Sequence, residues 1–240
     1  MVLTEKFKIG LKDIGKNDEI KNVAILEFLE DIGGRHSDLA GYGVNDIATT
    51  HLAWILLDWK LEIISRPKYG QELTINTWGR EINKIFTYRD FEIYDENNTL
   101  CVKATSKWAA VDVRYRKLAK LTDEIAEKYA LESKRVFDEK EIKKVSIPEK
   151  FERSIDYTVT RKDIDLNGHM HNLYYIDLAY EALPDDIYEK RPFDNVVINY
   201  KKEIILGETV ECKYTEVDGK YVVVIKNKNE EKINAVIELF

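Results

Sequence analysis

Cysteine and proline are scarce in this 240-residue chain, with two of the first and four of the second. Two cysteines, Cys101 and Cys212, do not make a disulfide framework in a chain of this length, and each reads as a small buried hydrophobe. So little proline, beside 44% hydrophobic and 34% charged residues, excludes a low-complexity scaffold or a disordered chain. No apolar run approaches the roughly 18 residues of a membrane-spanning helix, and Met1–Lys8 mixes charges without the apolar core of a signal peptide. A soluble, cytoplasmic protein is therefore expected. The net charge of -7 argues against general binding to nucleic acid. What is present suffices for one large globular domain or two small ones.

The chain repeats itself. Phe7–Asp31 lies over Tyr157–Glu181 at a constant offset of 150 without a gap, matching Lys12/Lys162, Asp13/Asp163, Ile14/Ile164, Asn17/Asn167 and Asn22/Asn172. The apolar runs that follow, Val23 to Ile32 and Leu173 to Leu183, predict two helices buried over much of their circumference. A second block, Trp59-Lys60-Leu61-Glu62-Ile63-Ile64, resembles Tyr200-Lys201-Lys202-Glu203-Ile204-Ile205, and a glycine follows each, Gly70 or Gly207. Alternation predicts strands over 48–64, 72–80, 85–94 and 100–112, then over 196–205, 209–217, 220–226 and 232–239. Asp218-Gly219 signals a two-residue hairpin, and Glu96-Asn97-Asn98 a turn. A helix buried in an antiparallel sheet, twice over, is an α+β arrangement that resembles a tandem (double) hotdog. The expected domains are an N-terminal hotdog over 1–115, a charged linker with a helix near 123–133 over 116–150, and a C-terminal hotdog over 151–240.

Duplication supplies an internal control: residues kept for folding survive in both copies, whereas chemistry is needed in one. Asp165 faces Gly15 and His169 faces Glu19, while Asn167 keeps Asn17 and Glu203 aligns with Glu62. Asp165 and His169 therefore carry the asymmetry, and one active site is expected in the second half, facing the first across the seam of a pseudo-dimer. Asn167 and Gly168 are expected to stop a strand and cap the helix, which gathers polar side chains at a helix N-terminus suited to developing negative charge. Asp165, His169 and Glu203 lack the two-histidine spacing usual for zinc, so no metal is assigned.

With those residues in hand, the chain resembles the acyl-acyl carrier protein thioesterases of the plant plastid type and their bacterial relatives. Asp165-Leu166-Asn167-Gly168-His169-Met170-His171-Asn172-Leu173-Tyr174-Tyr175 is similar to that family's Asp-x-Asn-x-His-x-x-Asn-x-x-Tyr, and Asn199-Tyr200-Lys201-Lys202-Glu203 to its Glu-Tyr-Arg-Arg-Glu. Tyr69-Gly70, Thr77-Trp78, Arg89-Asp90-Phe91, Ser106-Lys107-Trp108 and Arg114-Tyr115-Arg116-Lys117-Leu118 extend the resemblance in order through the first half. One departure matters. Plant members commonly carry a cysteine after the motif's last Glu, and here that place is Ile204, so a cysteine nucleophile does not apply.

The resemblance implies hydrolysis of fatty acyl thioesters on the phosphopantetheine of an acyl carrier protein, without a cofactor, by Asp165, Asn167, His169 and Glu203. Glu203, placed on a strand, would act as base or hold the His169 tautomer; His169 would position or deprotonate water; Asn167 would polarise the carbonyl. Asp165 would hold the water or attack directly as nucleophile. His171 reads as structural, and His36 and His51 receive no role. The resemblance links acyl-chain preference to the first half, where Trp54, Leu56 and Phe28 are candidate tunnel residues. Arg114, Arg116, Lys117 and Lys120 form the candidate basic patch for an acidic carrier protein. A thioesterase for acyl-coenzyme A, a dehydratase and a non-catalytic acyl-binding module of the same fold are the alternatives, and a homodimer stays open.

Overall fold

In the structure, a computed structural model describing residues 1–240, the chain divides into two compact units, Met1–Ile142 and Lys143–Phe240. Each unit wraps an antiparallel sheet around a helix, and the sheets share one strand order. In the first unit, β1 (Leu3–Lys8), β3 (Glu72–Gly79), β4 (Phe86–Tyr94), β5 (Leu100–Asp112) and β2 (Leu52–Ile63) are neighbours in that order, and the short β6 (Lys117–Leu118) pairs with β5. In the second unit the order is β7 (Arg153–Thr158), β9 (Thr209–Val217), β10 (Lys220–Asn227), β11 (Ile233–Leu239) and β8 (Asn195–Tyr200). Position for position, β7 repeats β1 and β8 repeats β2.

The helices follow from their apolar faces. Helix α1 (Asn22–Leu39) buries Ala24, Ile25, Leu26, Phe28, Leu29 and Ile32, and each large aliphatic among them contributes about 1.5–3 kcal/mol by leaving water. After it comes a single turn, α2 (Ile47–Thr50), ended by His51 in the left-handed region at φ 59°. That turn shortens the strand expected over 48–64, which starts at Leu52. The second unit's helix, α4 (Tyr174–Ala182), runs for 9 residues against 18 in α1. Leu183, expected inside it, is already extended, because Pro184 forbids the helical conformation before it and offers no N–H to continue. Another short turn, α5 (Asp185–Tyr188), follows. Near the end of α4 aromatic rings meet in series: Tyr180 stacks on Phe193 (6.1 Å), Phe193 meets Tyr221 (5.2 Å) and Tyr221 stacks on Tyr214 (6.4 Å).

Residues 116–142, read from the sequence as most of a linker, are built into the first unit. Thr122 caps α3 (Asp123–Tyr129), and Ile125 and Tyr129 pack with Ala40, Ala110 and Leu121. Beyond it the chain is laced to the sheet: Trp78 Nε1 donates to the Lys134 carbonyl (3.0 Å), Val136 N–H to Asp90 (3.0 Å), and Arg80 to the Lys140 carbonyl (3.0 Å). The expected hairpin at Asp218-Gly219 has φ of 50° and 73°, the two positive values a type I′ turn needs. No helix is long and apolar enough to cross a membrane.

Candidate active site

Between its first strand and its helix, each unit carries the same device. A turn of 3-10 helix, Leu11–Asp13 or Arg161–Asp163, is closed by its own aspartate. Asp13 Oδ2 accepts the Gly10 N–H (2.8 Å). Asp163 Oδ2 accepts the Thr160 N–H (2.7 Å), the Thr160 hydroxyl (2.8 Å) and the Tyr157 hydroxyl (2.7 Å). Burial alone would raise the Asp163 carboxyl, but these donors outweigh it and hold the group below the ordinary carboxylate range. Ile14 then bridges to Ile20, and Ile164 to Met170, so that residues 15–19 and 165–169 become hairpin tips. Gly15 N–H donates to the Glu19 carbonyl and Asp165 N–H to that of His169, both at 2.8 Å. The fourth tip residue has positive φ: 58° at Asp18 and 80° at Gly168. Asn167 and Gly168 thus close a turn and do not cap the helix, correcting the sequence reading; α4 begins six residues beyond Gly168 (174 − 168 = 6).

A second segment lies against each tip. Met170 N–H donates to the Ile204 carbonyl (2.7 Å) and His169 bridges Ile205; in the first unit Ile20 N–H donates to the Pro67 carbonyl (3.0 Å) and Glu19 bridges Lys68. These bonds set the register: 204 − 67, 205 − 68 and 207 − 70 all equal 137. Glu203 therefore stands where the first unit has Arg66, and the expected pairing of Glu203 with Glu62 is out of step. Glu62 lies in β2, in an ion pair with Lys103 (2.9 Å). Gly70 and Gly207, at φ 80° and 83°, are the dependable anchors, since both turns need that conformation. Nor is Glu203 on a strand as expected. β8 ends at Tyr200: the Lys201 N–H makes one more in-register bond to β11, to the Asn234 carbonyl (2.7 Å), and the Lys202 N–H doubles onto the same acceptor (3.2 Å).

The four expected site residues lie on these two adjoining segments. Asp165 is half-buried; its Oδ1 accepts the N–H of Asn167 (2.8 Å) and of His169 (3.1 Å), and its Oδ2 stands 3.5 Å from Asn167 Nδ2. One carboxylate oxygen is thus committed to shaping the tip. Asn167 is exposed, His169 is half-buried with neither ring nitrogen hydrogen-bonded, and the exposed Glu203 carboxylate has no ion pair. Under them lies Tyr175, 1% exposed, whose hydroxyl pKa is pushed up by burial and then by the negative charge of Glu203. Tyr175 is the last residue of the Asp-x-Asn-x-His-x-x-Asn-x-x-Tyr pattern, and that place in the pattern was the signal for it. The Tyr200 hydroxyl donates to the Asn172 carbonyl (2.9 Å), and its ring meets Tyr175 edge-on (5.3 Å), tying the two segments from below. His171 Nδ1 accepts the Leu173 N–H (3.3 Å), a contact at the start of the helix.

Elsewhere the structure separates what the sequence grouped. Trp54 and Leu56 are alternate residues of β2, Trp54 edge-on to Tyr129 (5.9 Å), whereas Phe28 packs on Phe7 of β1 (5.1 Å) at the opposite end of the first sheet. They do not form one wall. Arg114, Arg116, Lys117 and Lys120 are all exposed on and after the β5–β6 hairpin. Arg114 binds Asp112 (2.6 Å) and lowers that carboxyl to about 2, and Lys120 lines a groove with Glu81, Asp123 and Glu132, so the free positive charge is concentrated at Arg116 and Lys117. His36, given no role, is fully buried: burial, then the positive charge of Arg89, lowers it to about 3, and its Nδ1 faces Arg89 at 2.6 Å. Burial likewise pushes the Cys212 thiol up to about 12. No three His, Cys, Asp or Glu side chains gather as metal ligands.

Comparison with known proteins accounts for both units. Residues 1–129 match the family model of the acyl-ACP thioesterase N-terminal domain, and residues 146–239 that of its C-terminal domain. The oleoyl-acyl carrier protein thioesterase 1, chloroplastic, of Arabidopsis thaliana is 26% identical over 88% of this chain and 63% of its own. Its counterpart in Coriandrum sativum is 27% identical over 86% and 60%. The chain thus spans somewhat under two thirds of the length of these curated relatives. Among solved structures, an acyl-ACP thioesterase from Bacteroides thetaiotaomicron superposes with a TM-score of 0.86 at 21% identity, covering 100% of this chain and 97% of that one. The 12:0-ACP thioesterase of Umbellularia californica gives 0.88 at 18%, over 99% and 96%. The fold is the α+β hotdog, present in two successive units, and the chain belongs to the acyl-ACP thioesterase family.

Proposed function

We propose that the protein hydrolyses fatty acyl thioesters carried on acyl carrier protein, releasing the free acid and the carrier thiol, with its chemistry in the second unit. Family membership supports the reaction class. The observation that carries the site is that Asp165, His169 and Glu203, all replaced in the first unit by Gly15, Glu19 and Arg66, lie on two adjoining segments joined by the Met170–Ile204 hydrogen bond.

In this reading His169 takes a proton from water, with the Glu203 carboxylate holding the imidazole or sharing that proton. The hydroxide oxygen bonds to the thioester carbon, and the exposed Asn167 amide donates to the oxygen that gains charge. The collapsing intermediate breaks the carbon–sulfur bond. Its thiolate takes the proton back from His169, at little cost since an ordinary thiol ionises near pH ~8.5. Asp165 holds the tip and the water. Support for holding over direct attack is that its Oδ1 already accepts two main-chain N–H groups. Arg116 and Lys117 offer the docking charge for an acidic carrier.

Thiol release from a ladder of carrier-bound and coenzyme A acyl chains tests the reaction. Release from carrier-bound chains is expected; tight acyl binding without release would establish a non-catalytic binding module instead, and water loss from 3-hydroxyacyl chains a dehydratase. Arg116→Glu with Lys117→Glu is expected to lower kcat/KM on carrier-bound but not on coenzyme A substrates; an equal effect on both refutes docking there.

A further inference from the structure

Each unit has a β-bulge at the same place in its sheet, between β4 and β5 in the first and between β10 and β11 in the second, and the two bulged residues differ in chemistry. In the first unit Ile93 pairs with Val102 and Tyr94 with Leu100, which leaves Cys101 without an opposite number. In the second, Ile225 pairs with Ala235 and Lys226 with Ile233, which leaves Asn234. A bulge re-aims the extra residue out of the ladder. In both units the main-chain carbonyl of that residue faces the strand on the other side and receives the N–H groups at its end. Cys101 O accepts the N–H of Ile64 (2.8 Å) and Ser65 (3.2 Å), and Asn234 O accepts those of Lys201 (2.7 Å) and Lys202 (3.2 Å).

Only the second unit adds a side-chain clamp. Asn234, fully buried, donates from Nδ2 to the carbonyls of Lys202 (3.3 Å) and Glu203 (3.2 Å). Cys101 Sγ points instead to the Thr99 carbonyl (3.4 Å). The amide orientation follows from the partners, since a flipped side chain would set Oδ1 against two carbonyl oxygens. In the bound orientation Asn234 Oδ1 is buried with no partner.

We propose that Asn234 is a positioning residue for the reaction, holding the main chain of Glu203 so that its carboxylate meets His169. This rests on the assignment of Glu203 above. The asymmetry between the units then has a fourth member, Cys101/Asn234, beside Gly15/Asp165, Glu19/His169 and Arg66/Glu203. It acts through the backbone and touches neither water nor substrate.

The test is Asn234→Cys, which installs the residue that the first unit carries at the same bulge. The substitution removes an orphaned buried oxygen but also the donor to the Lys202 and Glu203 carbonyls; the two effects oppose each other, and the variant's Tm is expected to stay near that of the wild type. Its kcat falls about 10- to 100-fold with KM held, the effect of a small displacement of a reacting group. In a Glu203→Gln background, Asn234→Cys is expected to cause no further loss, since both act through one carboxylate. Wild-type kcat in Asn234→Cys, a loss that tracks a lowered Tm, or an undiminished loss in the Glu203→Gln background would each overturn the inference. Wild-type turnover in Glu203→Gln alone would instead remove the assignment of Glu203, and with it the role of Asn234.

Discussion

The two units keep the same hairpin tip on the same partner segment, yet reverse the chemistry at the contact. In the first, Glu19 lies on the tip and Arg66 on the segment; in the second, His169 and Glu203 take those places. Arg66 is engaged in holding the fold, donating to the Ile20 carbonyl and to Asn22 Oδ1, both at 2.8 Å. A guanidinium that bridges a tip to a helix stabilises; an imidazole and a carboxylate left without such bonds are available to react. Duplication thus separates scaffold from chemistry inside one chain: what is shared, such as Asp13/Asp163, makes hydrogen bonds, while the His169 ring and the Glu203 carboxylate, which differ, are left open.

The comparison breaks most sharply if the second unit is given the first unit's residues. His169→Glu with Glu203→Arg is expected to abolish thiol release, and His169→Ala alone to lower kcat by about 10²- to 10⁴-fold, the worth of a general base. Circular dichroism should show the fold unchanged; wild-type turnover in the His169 variant would end the assignment. The reverse change is expected to hurt the fold. Arg66→Ala leaves two carbonyl-type acceptors unpaired and should cost about 1.5–3 kcal/mol in denaturant unfolding, without changing kcat in the surviving folded protein.

Asp163 sharpens the shared part. Its carboxyl lies below its unfolded value, so it contributes stability that is present above the ordinary pKa of 3.8 and is lost as pH falls through its folded value. Asp163→Asn should therefore lower Tm at pH 7 and flatten the loss of stability on acidification; an unchanged acid limb would show that the cap bonds matter little. The smallest effect is expected at the tip. Asp18 already occupies the left-handed conformation that Gly168 holds, and a Cβ at Gly168 meets nothing within 4 Å. Gly168→Asn should cost about 1 kcal/mol or less, seen as a small shift in Tm.

Much of this was readable in the residues themselves. The 150-residue offset located both tips and both helices, because tip, cap and apolar face are set by local chemistry. Asp218-Gly219 declared its hairpin for the same reason. What the sequence hid depends on distant partners. β8 makes its last bonds to a carbonyl at Asn234, about thirty residues on, whereas alternation carried the strand too far and placed Glu203 on it. The matching of Glu62 to Glu203 failed because residue likeness was followed across a stretch where the units differ in length; Gly70 and Gly207 held the correct register. Pro184 was legible as the stop of the second helix, yet the apolar Leu183 concealed it.

The uneven division of aromatic rings between the units has an optical consequence. All four tryptophans, Trp54, Trp59, Trp78 and Trp108, fall in the first unit, while the second has the ring series Tyr180, Phe193, Tyr221 and Tyr214. Indole emission therefore reports on one half of the chain, whereas far-ultraviolet dichroism reports on both. Followed side by side through a thermal ramp, the two signals reveal whether the halves melt together or in turn, with no label added.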